Sequence, residues 1–196
     1  MKTNRKTPEI ENLYGRYRTY LVGPMEKTGA DDCGKGWRDI IRPQLEDREV
    51  FVFDPTFEEA SKVGMETKEF HEKLIGWKRS GNWDLYVKEM DKIWRGITYT
   101  EEGQLKHTMG DADYVSHSDF LTVHIQEGDA PCGTYGEVYQ AWLFRIPIYV
   151  VTEVNKSDLN GSFIYWVLSS GGEVFRNFNQ LMEHLDKEYN LKKSKK

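Results

Sequence analysis

The chain has 196 residues, 32 acidic against 27 basic side chains, a net charge of −5 and 38% hydrophobic residues. Its mean hydropathy is −0.70. That length suits one domain with a core of its own, and the acidic balance argues against duplex nucleic acid, which needs a basic face to neutralise phosphates.

No apolar run of about 18 residues occurs, and no charged-then-apolar leader opens the chain, so a cytoplasmic protein without membrane contact is expected. Cys33 and Cys132 are the only cysteines and lie far apart. They are expected as reduced thiols, without a disulfide framework or a cysteine zinc site.

Residues 1–17 are polar, without an apolar period, and are expected to form a loose leader. Arg18-Thr19-Tyr20-Leu21-Val22 has the pattern of a strand that stops at Gly23-Pro24. Trp37, Ile40, Ile41 and Leu45 follow at helical spacing, and Pro43 is expected to kink that helix or end it early. Residues 49–53 read as a second strand, closed by Asp54-Pro55. Residues 56–106 are dense in charge and hold Trp77, Trp83 and Trp94. Helical patterns over 70–77 and 85–94 flank a break at Ser80-Gly81-Asn82, which predicts a helical segment inserted over the main domain. A helix from His107 is expected to carry Asp111 and Val115. Residues 120–125 read as a third strand, 133–144 as a helix, and 146–151 as a fourth strand with Pro147 at its start. A short helix over 163–168, a strand at Glu173-Val174-Phe175 and a closing helix capped by Asn177 complete the series. A single α/β domain is thus expected over 18–190, followed by a solvated basic tail at 191–196.

Strands alternating with helices predict a doubly wound, five-stranded parallel sheet covered on both faces. Ligands of such sheets bind beyond the carboxyl ends of the strands, near the switch point. Gly23-Pro24-Met25 and the loop 126–136 fall at those ends. The loop leads into Thr134-x-x-Glu137, which has the spacing of a helix capping box. Glu137 is therefore either a capping residue or a carboxylate held for attack. At a helix N-terminus it is expected to be ionised at neutral pH.

Three segments stand in order: Tyr20-Leu21-Val22-Gly23-Pro24-Met25, Asp111-x-x-x-Val115-x-x-Ser118-Asp119, and Gly133-Thr134-x-x-Glu137-x-x-x-Ala141. In this order and spacing they resemble the nucleoside 2-deoxyribosyltransferase family, with its related nucleoside 5′-monophosphate N-glycosidases. The resemblance covers residues 18–152 apart from the insert. It implies a flavodoxin-like fold and a small-molecule nucleoside or nucleotide, with a free nucleobase, as partners. It also implies a homo-oligomer and needs no cofactor. Glu137 would be the nucleophile that captures the sugar C1′, and Asp111 the acid that protonates the departing base, with Asp113 as its rival. Tyr20 would orient the nucleophile. Gly23, Pro24, Met25, Gly133 and Thr134 would line the substrate site.

Two departures from the family pattern keep other readings open. No carboxylate near the chain end matches the group that lends its charge to a neighbouring subunit's sugar. A 5′-monophosphate substrate would instead need hydroxyls and cations, for which Ser116, Ser118, Lys78 and Arg79 are candidates. A hydrolase of the same lineage, a phosphoribohydrolase and a nucleotide sensor without turnover are the competing functions. The insert tryptophans are either a lid over the base or packing for the insert itself. The histidines at 71, 107, 117, 124 and 184 show no metal-binding spacing, and neither a GxGxxG nor a Walker sequence occurs.

Overall fold

The structure, a computed structural model, describes residues 17–25, 34–100, 102–127 and 132–191. The leader through residue 16, Cys33 and the tail 192–196 lie outside the described residues. Strand β1 (Tyr17–Val22) takes in one residue of the expected leader and leads to helix α1 (Lys35–Glu46) and strand β2 (Val50–Phe53). Helices α2 (Pro55–Val63), α3 (Thr67–Ser80) and α4 (Trp83–Arg95) follow, then two three-residue strands, β3 (Ile97–Tyr99) and β4 (Leu105–His107). Helix α5 (Asp111–Ser116), strand β5 (Phe120–His124), helix α6 (Cys132–Leu143) and strand β6 (Ile148–Val151) return the chain to the centre. Helix α7 (Gly161–Ser169), strand β7 (Glu173–Phe175) and helix α8 (Phe178–Glu188) finish it.

The main sheet is parallel throughout, in the order β2-β1-β5-β6-β7. That is the doubly wound, flavodoxin-like order. Side chains alternate along each strand, so β1 sends Tyr20 and Val22 to one face and Leu21 to the other. The first face packs with Val138 and Ala141 of α6 and Phe163 and Val167 of α7. The second packs with Ile41 and Leu45 of α1 and Leu181, Met182 and Leu185 of α8. Deep between β1 and β5, the Thr19 and Thr122 hydroxyls satisfy each other at 3.1 Å.

Pro43 neither ends nor interrupts α1, which runs three residues past it. It sits in the last turn, where its missing N–H leaves only one helical bond unmade. Asn177 caps α8 as expected, accepting from the Gln180 N–H at 3.0 Å. Asn160 does the same for α7, accepting from Ser162 and Phe163.

The segment between β2 and α5 is not wholly helical. Its three helices share a small core of Phe70, Leu74 and Ile93, flanked by Trp77, Met90 and Trp94. Beyond them β3 and β4 pair as an antiparallel hairpin. The expected helix from His107 is therefore corrected: His107 ends β4, and α5 starts at Asp111. The hairpin returns to the domain where Gly96 crosses Gly110. The Thr108 N–H donates to the Gly96 carbonyl at 2.8 Å. Gly96 has φ +60°, and a Cβ there would run into the Thr108 carbonyl.

Gly96→Ala is expected to cost about 2 kcal/mol, from left-handed backbone and the backbone clash together. A thermal melt should show a fall of several degrees, whereas Gly103→Ala, at the open hairpin tip, should lose less.

Candidate active site

A cavity of about 370 Å³ opens where β1 and β5 end. It is built from two halves of the chain. Tyr20, Gly23, Pro24, Met25, Asp111, Gly133, Thr134 and Glu137 line one side. The other side comes from the segment after β2 and is mostly apolar: Phe70, Leu74, Met90, Ile93 and Trp94, with Glu59 and His71 among them. Of the three insert tryptophans only Trp94 reaches the cavity. Its ring lies 3.6 Å from where a Cβ on Gly136 would stand and 3.7 Å from one on Gly133. Two glycines on the first turns of α6 thus let the insert lie flat against that helix. Trp83 is exposed, and Trp77 packs the insert core.

Thr134 is the third residue of α6 and Glu137 the sixth, so the expected Thr134–Glu137 capping box does not form. Thr134 is inside the helix, not before it. Both side chains are buried at the cavity. Asp111 and Asp113 separate cleanly. Asp113 reaches back to accept from the Gly110 N–H at 3.0 Å and caps α5, whereas Asp111 is 4% exposed and faces the cavity.

Tyr20 stands between the two carboxylates. Its hydroxyl favours the charged form of both Asp111 and Glu137. In the structure that hydroxyl is buried and makes no hydrogen bond of its own. Gln140 fastens the arrangement from behind, its amide donating to the Ala112 carbonyl at 2.6 Å.

Burial dominates the electrostatics. It pushes the Asp111 carboxyl up to about 7, against the opposing pull of Lys62. The Lys62 ammonium lies 3.8 Å from the Asp111 Oδ1 and 4.6 Å from the centre of the Tyr114 ring. Burial lowers Lys62 as it raises Asp111, so both partners lean toward their neutral forms despite the attraction between them. Glu137 is also held well above the usual carboxylate range, first by burial and then by the charge of Asp111. The helix N-terminus is expected to favour its ionised form; at this buried position in the second turn, desolvation works against that and raises the carboxyl.

Arg38 is completely buried beneath this floor. It donates to the carbonyls of Leu21, Gly23 and Gly34 at 3.2, 3.0 and 2.8 Å. The loop after β1 is thereby pinned to α1. Gly23 is constrained by the protein itself, since a Cβ would stand 2.8 Å from the His124 carbonyl and 3.0 Å from the Trp37 ring.

Ser116, Ser118, Lys78 and Arg79 are not brought to the cavity. The Ser116 and Ser118 hydroxyls donate to the Asp113 and Tyr114 carbonyls. They lie toward the start of β5, the opposite end of the sheet from Asp111. Asp119 belongs there too, paired with Arg18 at 3.1 Å. Sequence reasoning missed Glu59, His71, Lys62 and Arg38. A carboxylate and an imidazole in a stretch otherwise rich in apolar wall residues were the available signal.

No family model matches the sequence, and no curated protein is significantly similar to it. Similar solved structures include a conserved protein from Enterococcus faecalis V583, with TM-score 0.52, 12% identity, and 87% of this chain and 98% of that one covered. They also include a 2-deoxyribosyltransferase from Bacillus psychrosaccharolyticus, with TM-score 0.45, 12% identity, and 84% and 90% covered. Among the described residues no helix is long and apolar enough to cross a membrane.

A carboxyl raised on folding binds a proton that the unfolded chain has already released, so stability falls as pH rises from about 4 through about 7. The stability of Asp111→Asn relative to the parent should therefore climb over that window, by a few kcal/mol at most. Melting temperatures of the two proteins from pH 4 to pH 8 check this, and parallel curves would contradict it.

Proposed function

We propose that this protein cleaves the N-glycosidic bond of a 2′-deoxynucleoside through a covalent glutamate–sugar intermediate and transfers the sugar to another nucleobase. One observation carries the reading: two buried carboxyl groups, Glu137 and Asp111, line one cavity together with Tyr20 at the mouth of a doubly wound sheet. The ordered motifs around Tyr20, Asp111 and Glu137, which resemble the deoxyribosyltransferase pattern, point the same way.

The chemistry divides between the carboxyls. Glu137, ionised, attacks C1′ and forms an ester bond to the sugar as the C1′–N bond breaks. The bonding pair goes to the base nitrogen, which takes a proton from Asp111. A second base then attacks C1′ and yields its proton to Asp111, and Glu137 leaves as a carboxylate. Two like charges in one dry site disfavour ionising together. A carboxyl near 7 is suited to give and take a proton at neutral pH. Tyr20 and the charge of Arg38 favour ionised Glu137 against its burial. The apolar wall from the insert keeps water from C1′, which favours transfer over hydrolysis.

The described cavity lining contains no lysine or arginine. This supports a nucleoside over a 5′-monophosphate, whose dianion would call for cations. Hydrolysis of a monophosphate remains the second reading, distinguished by its products.

Deoxynucleosides incubated with a second free base should yield a new nucleoside, resolved by chromatography. Glu137→Ala should lower that exchange at least about a thousandfold while the protein stays folded. Mass spectrometry of the parent, quenched without acceptor, should show one deoxyribosyl adduct on the intact protein and, after digestion, on the Glu137 peptide. Exchange that survives Glu137→Ala would overturn the proposal. Free base released at the same rate with or without acceptor would make the enzyme a hydrolase.

A further inference from the structure

The wall opposite Glu137 holds one polar pair in apolar surroundings. Phe70, Leu74, Met90, Ile93 and Trp94 form a slot suited to a flat ring. Glu59 from α2 and His71 from α3 sit in that wall, 6% and 9% exposed. The His71 Nε2 lies 3.3 Å from the Glu59 Oε2, yet the contact fails hydrogen-bond geometry and leaves that oxygen without a partner. A carboxylate has capacity for about four hydrogen bonds, and as an anion it only accepts. A buried acceptor with open capacity costs free energy unless a ligand donates to it. The exchange mechanism does not use Glu59, because Asp111 handles the proton.

We propose that Glu59, held by His71, reads the edge of the nucleobase and selects bases that present an exocyclic amino group. The inference rests on the nucleoside reading of the cavity and adds the class of base. An amino group donates to the carboxylate. A carbonyl at the same ring position would set acceptor against acceptor, and a site with an unpaired buried polar group rejects such an analogue strongly. His71 acts as a positioning residue: its ring nitrogen beside Oε2 limits the directions the carboxylate can take.

Two substrate pairs isolate the choice, because each differs only in amino against oxo: deoxyadenosine with deoxyinosine, and deoxycytidine with deoxyuridine. Equilibrium binding to the parent should favour the amino member of at least one pair by about tenfold or more. Glu59→Gln, whose amide can also donate, should collapse or invert that ratio without altering the melting temperature. His71→Asn should narrow it, chiefly by weakening the amino ligand. Equal binding within both pairs in the parent would overturn the proposal, as would a ratio unchanged by Glu59→Gln or no binding of any of the four. Should Glu59→Gln not fold, the parent's ratios decide alone. Because the readout is binding, it separates from the exchange chemistry: amino selectivity without any turnover would leave the base-reading pair standing and remove the transferase.

Discussion

Two carboxyl groups placed in one dry space, with a tyrosine hydroxyl between them, are the condition on which the rest of this molecule depends. Neither Asp111 nor Glu137 meets enough water to carry its charge cheaply. The surroundings answer with cations set at the edges. Lys62 faces Asp111 from α2, and Arg38 lies under the floor without touching the cavity. Closer cations would hold both carboxyls ionised. At the distances present, burial outweighs them and both carboxyls stay raised.

The parallel sheet and the expanded connection after β2 contribute different things. The sheet supplies rigid placement: Tyr20 sits on β1, an interior strand, and Glu137 rides a helix packed through Val138 and Ala141. The connection supplies the apolar cover and carries its own core of Phe70, Leu74 and Ile93. That division explains why a short cluster of tryptophans serves two ends. Trp77 holds the cover together, while Trp94 seats it on the glycine face of α6.

Much of this could be read from the sequence because the sheet is deeply buried. Short runs dominated by apolar and β-branched residues mark β1, β2, β5 and β6 plainly, and residues at their carboxyl ends fall together by topology. The meeting of the loop after β1 with the start of α6 follows from that rule, whereas Asp111, on the helix feeding β5, is placed there only by the resemblance. The hairpin at 97–107 escaped because each of its strands has only three residues, largely exposed, with too little alternation to register. Ser116 and Ser118 were misplaced for a geometric reason. A helix rises about 1.5 Å per residue, so the far end of α5 already points away from the mouth that its first residue lines. Glu59 and His71 could not be paired from sequence, since their meeting depends on how α2 packs against α3. The upward push on the Glu137 carboxyl was not legible, because position on a helix is visible in sequence and depth of burial is not.

The crossing of Gly96 and Gly110 gives the connection an unusual authority over the chemistry. Asp111 is the next residue after that crossing, and the cover ends just before it. The Asp111 carboxyl therefore owes its position at the cavity to the same glycine contact that closes the hairpin, and a change at the crossing reaches the cavity through a single peptide link.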